Sequence, residues 1–137
     1  MVLVDTSAWI EVFRKPSRLV LEDVVDFDEV VTCLPVIQEV LQGFTSDLAF
    51  RAAREAMLAL PAVESPLGEG VYLDAVDLYR RARRAGITVR SGVDCLIAAC
   101  AIRHGLTVLH DDRDYAALAR VSELQQRRIP RAVSARG

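Results

Sequence analysis

The chain begins Met1-Val-Leu-Val-Asp-Thr-Ser-Ala-Trp-Ile-Glu-Val-Phe13, and this stretch decides the fold. Val2–Val4 is a short apolar run typical of a buried strand, and it stops at the carboxylate of Asp5 and the hydroxyls of Thr6 and Ser7. A helical pattern then runs over Ala8–Phe13. A strand that leads through polar side chains into a helix indicates a parallel α/β sheet, in which sites form at the carboxyl ends of the strands.

Short apolar runs alternate with helical patterns along the rest of the chain, which again favours an α/β fold with a parallel sheet. Further strands are predicted at Val30–Thr32, Ala62–Glu64, Leu106–Leu109 and Glu123–Ile129, with Ile87–Val89 as an extended segment. Helices are predicted at Ala8–Phe13, Arg18–Val25, Pro35–Leu41, Asp47–Leu60, Val71–Ala85, Val93–His104 and Tyr115–Arg120.

Length and composition indicate a single globular domain. The chain has 137 residues, 52% of them hydrophobic, enough for one core. We assign residues 1–129 to the domain and residues 130–137 to a flexible C-terminal tail. No apolar run approaches the ~20 residues of a membrane span, and no signal peptide is recognisable, so we expect a cytoplasmic protein without a membrane partner. The three cysteines show no pairing pattern, which argues against disulfides.

Four acidic residues occupy positions that a parallel sheet would bring together. Asp5 and Asp112 each follow a predicted strand, Asp94 begins the helix that leads into the second of these strands, and Glu39 lies on the rim of an apolar helix face. Each has an ordinary structural explanation, because Asp5 and Asp112 suit helix N-caps, Asp94 fits a capping box, and Glu39 can be solvated.

Together, these acids indicate a cation site. Two carboxylates about 4 Å apart repel by about 4 kcal/mol at an effective dielectric constant of 20, so an ionised cluster needs a cation. Oxygen ligands select Mg²⁺ or Mn²⁺, whereas His104 and His110 are too few and too unfavourably spaced for zinc. Such ions promote phosphate-ester hydrolysis. Arginines, including the cluster Arg80–Arg84, could then contact phosphates or form a solvated helix face.

Four segments resemble the PIN-domain ribonucleases and, within them, the VapC-type toxins of type II toxin–antitoxin pairs. They are VLVDTSAWIEVF, PVIQEVLQGF, GITVRSGVDCLIAACAIRHG and TVLHDDRDYAAL, in the family's order. The resemblance implies a three-layer α/β/α sandwich with a central, mostly parallel sheet. It places the catalytic acids at Asp5, Glu39, Asp94 and Asp112, with Asp5, Asp94 and Asp112 as metal ligands.

Two features of the last segment depart from the family or blur the assignment. His110 stands where the family commonly has Thr, Ser or Asn, and Asp111 competes with Asp112 for the fourth acidic position, although strand alignment favours Asp112. Asp114 matches a frequent additional acid of the family.

The resemblance further implies a Mg²⁺- or Mn²⁺-dependent endoribonuclease that is homodimeric and neutralised by a small antitoxin. In the mechanism we favour, Asp5, Asp94 and Asp112 hold one or two metal ions and Glu39 completes the shell or orients water, which attacks the RNA phosphodiester directly. A groove between the early helices Ala8–Phe13 and Arg18–Val25 would receive the partner. Two alternatives stay open: a non-catalytic PIN-like module that binds RNA or protein, and a nuclease directed at DNA.

Overall fold

A computed structural model of the chain describes residues 1–130, and these form a five-stranded sheet with helices on both faces. The strands are β1 (Val2–Val4), β2 (Val30–Cys33), β3 (Ala62–Val63), β4 (Thr107–His110) and β5 (Gln125–Arg128). The helices are α1 (Thr6–Phe13), α2 (Leu34–Gln42), α3 (Asp47–Leu58), α4 (Glu69–Arg84), α5 (Gly92–Arg103) and α6 (Arg113–Ala119). The predicted α/β fold with a central parallel sheet is confirmed.

The sheet has the strand order β3-β2-β1-β4-β5, and every neighbouring pair is parallel. Strand β1 is central, with Leu3 paired to Val31 on one side and to Val108 on the other. Leu3, Val31 and Val108 are almost fully buried, as expected for a parallel sheet covered on both faces. The carboxyl ends of β1, β2 and β4 therefore meet at one edge of the sheet.

The helices bury apolar stripes against this sheet and against one another. Helix α5 is the most enclosed, because five consecutive residues, Ile97–Ala101, are all buried. Such a helix is apolar on nearly every side, so its one buried carboxylate, Asp94, stands out. Among residues 1–130, no helix is long and apolar enough to cross a membrane.

One predicted helix is wrong. In place of a helix over Arg18–Val25, the structure has an irregular segment with a single 3₁₀ turn at Leu21–Asp23. Leu19 and Leu21 are buried while Val20 between them is 56% exposed. Val20 has extended backbone, so Leu19 and Leu21 face the core together, whereas the spacing of Leu21 and the buried Val25 is the one that resembles a helix.

Smaller differences between prediction and structure concern one predicted extended segment and the end of the chain. Ile87–Val89 pairs with no strand of the described part, although Val89 is buried in the core. The predicted last strand is present as β5, in the shorter range Gln125–Arg128. The predicted tail, apart from residue 130, lies outside the described residues, as do Arg131 and Arg136, and the proposed domain boundary stays a prediction.

Candidate active site

Asp5 lies where β1 passes into α1, and both of its carboxylate oxygens accept hydrogen bonds. It is the N-cap of α1, and its Oδ2 accepts from the backbone N–H of Ser7 at 3.0 Å and from the Ser7 hydroxyl at 2.6 Å. Its Oδ1 accepts from the Tyr115 hydroxyl at 2.5 Å. The side chain is 2% exposed. Asp5 therefore does cap the helix, but capping involves only one of its oxygens.

Asp94 lies in the first turn of α5 and does not cap it. Ser91, the N-cap residue, makes no capping hydrogen bond with its side chain. Asp94 Oδ1 lies 3.3 Å from the Tyr115 hydroxyl, and the buried Oδ2 has no hydrogen-bond partner. A buried carboxylate oxygen without a donor costs free energy, so the capping explanation does not account for Asp94.

Asp112 and Asp114 lie where β4 passes into α6. Asp112 is the N-cap of this helix, and its Oδ1 accepts from the backbone N–H of Asp114 at 2.9 Å. Asp114 is 2% exposed, and its Oδ2 accepts from the backbone N–H of Arg90 at 3.1 Å. The Arg90 guanidinium is itself largely exposed and lies 4.0 Å from Asp114 Oδ1. Two acids of this segment thus belong to the site.

The tertiary fold brings these acids together. One oxygen each from Asp94, Asp112 and Asp114 lie within 4.8 Å of one another. Burial, together with the negative charges of Asp112 and Asp5, raises the pKa of Asp94 to about 9. A proton or a cation must therefore accompany the cluster, because the folded protein disfavours a bare charge on Asp94.

Glu39 lies on the rim predicted from the helical wheel of α2. It is partly buried, and its Oε1 accepts from the Thr6 hydroxyl at 2.9 Å. Burial raises the pKa of Glu39, the bond from Thr6 opposes this shift, and the charges of Asp5 and Asp112 support it. Glu39 therefore lies beside the start of α1, close enough to Asp5 and Asp112 to feel their charges.

The structure adds Tyr115 to the site, a residue that the sequence did not single out, and shows what the Ser7 hydroxyl contacts. Tyr115 is completely buried, and its hydroxyl joins Asp5 to Asp94. Ser7 joins two strand ends, because its hydroxyl donates to Asp5 and accepts from the backbone N–H of Asp111 at 2.8 Å. Tyr115 follows Asp112 by three residues at the start of a helix, and this spacing could have indicated that the two lie near each other. The same spacing is equally typical of an aromatic residue that packs in the core.

The donor set suits a hard divalent cation. Asp94, Asp112 and Asp114 offer carboxylate oxygens only, and the orphaned Asp94 Oδ2 is the polar atom that a cation would satisfy. Neither histidine contributes, since His104 pairs with Glu64 and His110 with Gln126. Asp5 lies beside this group of three, where the hydrogen bonds from Ser7 and Tyr115 already reach both of its oxygens.

Comparison with known proteins identifies the family. The PIN domain profile matches residues 2–121, a span that contains all the candidate acids. The chain belongs to the PIN-domain family. Ribonuclease VapC11 of Mycobacterium tuberculosis is 37% identical to this PIN domain over 131 residues, covering 91% of this chain and 96% of the relative. At that identity and coverage the chain belongs with the VapC ribonucleases.

Solved structures share the fold of this PIN domain. VapBC-5 of Mycobacterium tuberculosis, a member of the VapBC family of toxin-antitoxin systems, matches with a TM-score of 0.70 and 22% identity, covering 93% of this chain and 97% of that one. VapC20 of the same organism, described as a sarcin-ricin loop cleaving toxin, matches with a TM-score of 0.66 and 20% identity, covering 91% and 99%. These likenesses confirm the predicted PIN-like sandwich.

Proposed function

We propose that the chain is a divalent-cation-dependent endoribonuclease that acts as the toxin of a toxin–antitoxin pair. The observation that carries the proposal is the group of Asp94, Asp112 and Asp114, in which Asp94 and Asp114 are buried and one oxygen of Asp94 has no donor. A non-catalytic binding module has no need of such a group, which is costly to bury. Membership of the VapC ribonucleases supports RNA as the substrate.

In this proposal, Asp94, Asp112 and Asp114 hold Mg²⁺ or Mn²⁺, and Asp5 lies beside them. When bound, the cation supplies Lewis acidity, which activates water and offsets negative charge on the phosphodiester. Glu39, at the rim of the cleft, orients the attacking water and accepts its proton, for which its raised pKa is suited. Direct attack by water needs no covalent intermediate, so no nucleophilic side chain is required.

A cleavage assay tests the proposal. The purified chain is incubated with single-stranded RNA and with DNA of the same sequence, in Mg²⁺, in Mn²⁺ and in EDTA, beside the Asp94→Asn variant. We expect RNA cleavage that needs the cation and is lost in the variant. RNA binding without cleavage under every condition would establish the binding module, and preferential cutting of DNA would establish the DNA-directed nuclease.

We further propose that an antitoxin docks between α1 and α2. A groove of about 340 Å³ lies there, lined by Ile10, Phe13, Arg14, Glu39, Val40, Gly43 and Phe44. Ile10 is 53% exposed, and the rings of Phe13 and Phe44 meet edge to face at 5.6 Å. The groove predicted between Ala8–Phe13 and Arg18–Val25 is not the one observed, because Trp9, Leu19 and Leu21 of these segments are buried in the core. The VapBC-5 complex supports a partner of this kind.

The position of Glu39 refines how such a partner would act. Glu39 lines the groove, whereas Asp5 and Asp94 are almost fully buried. An arginine of the partner would therefore reach Glu39 first and pair with it bidentately. Co-expression with the product of the neighbouring small reading frame tests this. We expect co-purification and relief of growth arrest, both weakened by Ile10→Glu but not by the control Leu48→Glu, which alters an exposed leucine outside the groove. The homodimer predicted from the sequence is checked in the same preparations by light scattering.

A further inference from the structure

Tyr115 connects two carboxylates that come from different parts of the chain. It lies on α6 and is completely buried, while Asp5 ends β1 and Asp94 begins α5. Its hydroxyl donates to Asp5 Oδ1 at 2.5 Å and lies 3.3 Å from Asp94 Oδ1. A neutral donor placed between two acids reduces their repulsion and fixes the orientation of both.

The carboxylate oxygens of Asp5 and Asp94 differ in whether they have a hydrogen-bond partner. Both oxygens of Asp5 already accept hydrogen bonds, because Ser7 donates to its Oδ2 and Tyr115 to its Oδ1. Asp94 Oδ1 faces Tyr115, which leaves Oδ2 as the oxygen without a partner. The contact with Tyr115 thus involves only one oxygen of Asp94.

His110 supports Tyr115 from the sheet. The two rings pack with their centroids 5.0 Å apart at 42°. His110 Nδ1 accepts from the backbone N–H of Asp112 at 3.1 Å, so this nitrogen carries no proton. The proton therefore lies on Nε2, which donates to Oε1 of Gln126 at 2.6 Å. One buried imidazole thus contacts the backbone of Asp112 and the ring of Tyr115, and Gln126 on β5 holds it in a single tautomer.

We propose that Tyr115 is a positioning residue for the cation site and that His110 and Gln126 hold it in place. The proposal rests on the proposed function, because it assumes that Asp94 and its neighbours receive a divalent cation. Hydrogen-bond partners of metal ligands typically contribute a factor of about 10–100 in metal affinity or activity. His110 packs its ring against Tyr115, which the Thr, Ser or Asn common at this position in the family could not do because they have no ring.

The test measures Mn²⁺ binding in the absence of RNA. Isothermal titration of the full chain is compared with Tyr115→Phe, which removes only the hydroxyl, and with Tyr79→Phe, a control on an exposed tyrosine. We expect Mn²⁺ to bind Tyr115→Phe about 10–100-fold more weakly and the control unchanged. Melting curves in EDTA show whether each variant is folded at the titration temperature.

Two outcomes would overturn the proposal. The first is a Tyr115→Phe variant that melts earlier but binds Mn²⁺ within about twofold of wild type, as expected of a residue that only stabilises the core. The second is a wild-type chain that binds no Mn²⁺. A wild-type chain that binds Mn²⁺ without cutting RNA would defeat the proposed function alone, since the positioning role is judged by binding.

A second variant keeps the test decisive if Tyr115→Phe does not fold. Gln126→Leu removes the acceptor of His110 while leaving Tyr115 intact, and Gln125→Leu, at the exposed neighbouring position on β5, is its control. We expect weaker Mn²⁺ binding for Gln126→Leu by a smaller factor than for Tyr115→Phe. Equal binding by the two glutamine variants would count against any role of His110 and Gln126.

Discussion

Two groups of charged side chains within residues 1–130 differ in burial and in sign. At the carboxyl edge of the sheet, Asp5, Asp94 and Asp114 are each at most 5% exposed and carry the same charge. On the surface of α4 and α5, Arg103 lies between Asp74, at 2.8 Å, and Glu64, at 3.8 Å. These surface side chains alternate in sign, and the side chains of Arg103 and Asp74 are 39% and 51% exposed.

The difference separates a functional cluster from a structural one. The surface group pairs charges of opposite sign and is screened by water, so it costs little to form and contributes little to stability. The buried group is unfavourable without a cation, since like charges about 4 Å apart repel by about 4 kcal/mol at an effective dielectric constant of 20. The fold holds it together with hydrogen bonds from Ser7, Tyr115 and backbone N–H groups. The repulsion between these carboxylates is explained by the cation that we propose they bind.

The largest effect should come from Asp94→Asn. We expect RNA cleavage to fall by more than about 100-fold, because the loss of a hydrogen-bond partner of a ligand already costs 10–100-fold. Stability in EDTA at neutral pH should stay equal or rise, since asparagine is neutral in both states and folding no longer requires position 94 to take up a proton. Both are measured by cleavage kinetics and thermal melting. A large loss of stability in EDTA would instead assign Asp94 a structural role and remove the contrast between the two regions.

A smaller loss is expected for Glu39→Gln, which keeps the shape of the side chain but removes its charge. We expect cleavage to fall by about 10-fold or more, since general-base catalysis contributes typically 10²–10⁴-fold. The paired variant Thr6→Val removes the hydroxyl that bonds Glu39, and its effect should be smaller and in the same direction. Rates from single-turnover assays decide this. If Glu39→Gln cleaves RNA at the wild-type rate, Glu39 is not a catalytic acid and only the aspartates take part.

The metal-free protein should also respond to pH through Asp94. Burial raises the pKa of Asp94 from 3.8 to about 9. Between these two pH values, the folded state therefore keeps a proton on Asp94 that the unfolded state has already released. The stabilisation is fully present below pH 3.8 and is lost as the pH rises towards about 9. Urea unfolding in EDTA across this range should therefore show a free energy of unfolding that falls more steeply for wild type than for Asp94→Asn. Parallel curves for the two proteins would contradict the assignment.

The smallest effect is expected on the surface. Arg103→Gln removes the positive charge between Asp74 and Glu64, and we expect the melting temperature to change by no more than about 3 °C, with cleavage unaffected. Added salt should reduce the difference further. Thermal melts at low and high ionic strength check both statements. A large decrease would show that this surface cluster stabilises the fold more than exposed ion pairs usually do.

The sequence predicted the acids better than their partners. Asp5, Asp94 and Asp112 stand out because a strand end or an apolar helix is an unusual place for a carboxylate, and Glu39 was placed on the rim by helical periodicity alone. Asp114 and Tyr115 lie in the same helix start, yet which of them faces the cleft depends on how α6 packs. The early segment Arg18–Val25 was misread because buried residues with a period of two and of 3.6 are similar in so short a stretch.

Outside the segment 18–25, the sequence by itself determined which strands and helices follow one another along the chain and where the acids lie in them. It could do so because periodicity and turn residues are local properties. The tertiary structure decided which oxygens are free. The joining of Asp5 to Asp94 by Tyr115 and the lack of a partner for Asp94 Oδ2 depend on contacts between residues up to 110 positions apart. Hydrogen bonds of that kind are fixed only when the sheet has formed, since the strands must pair before their ends can meet.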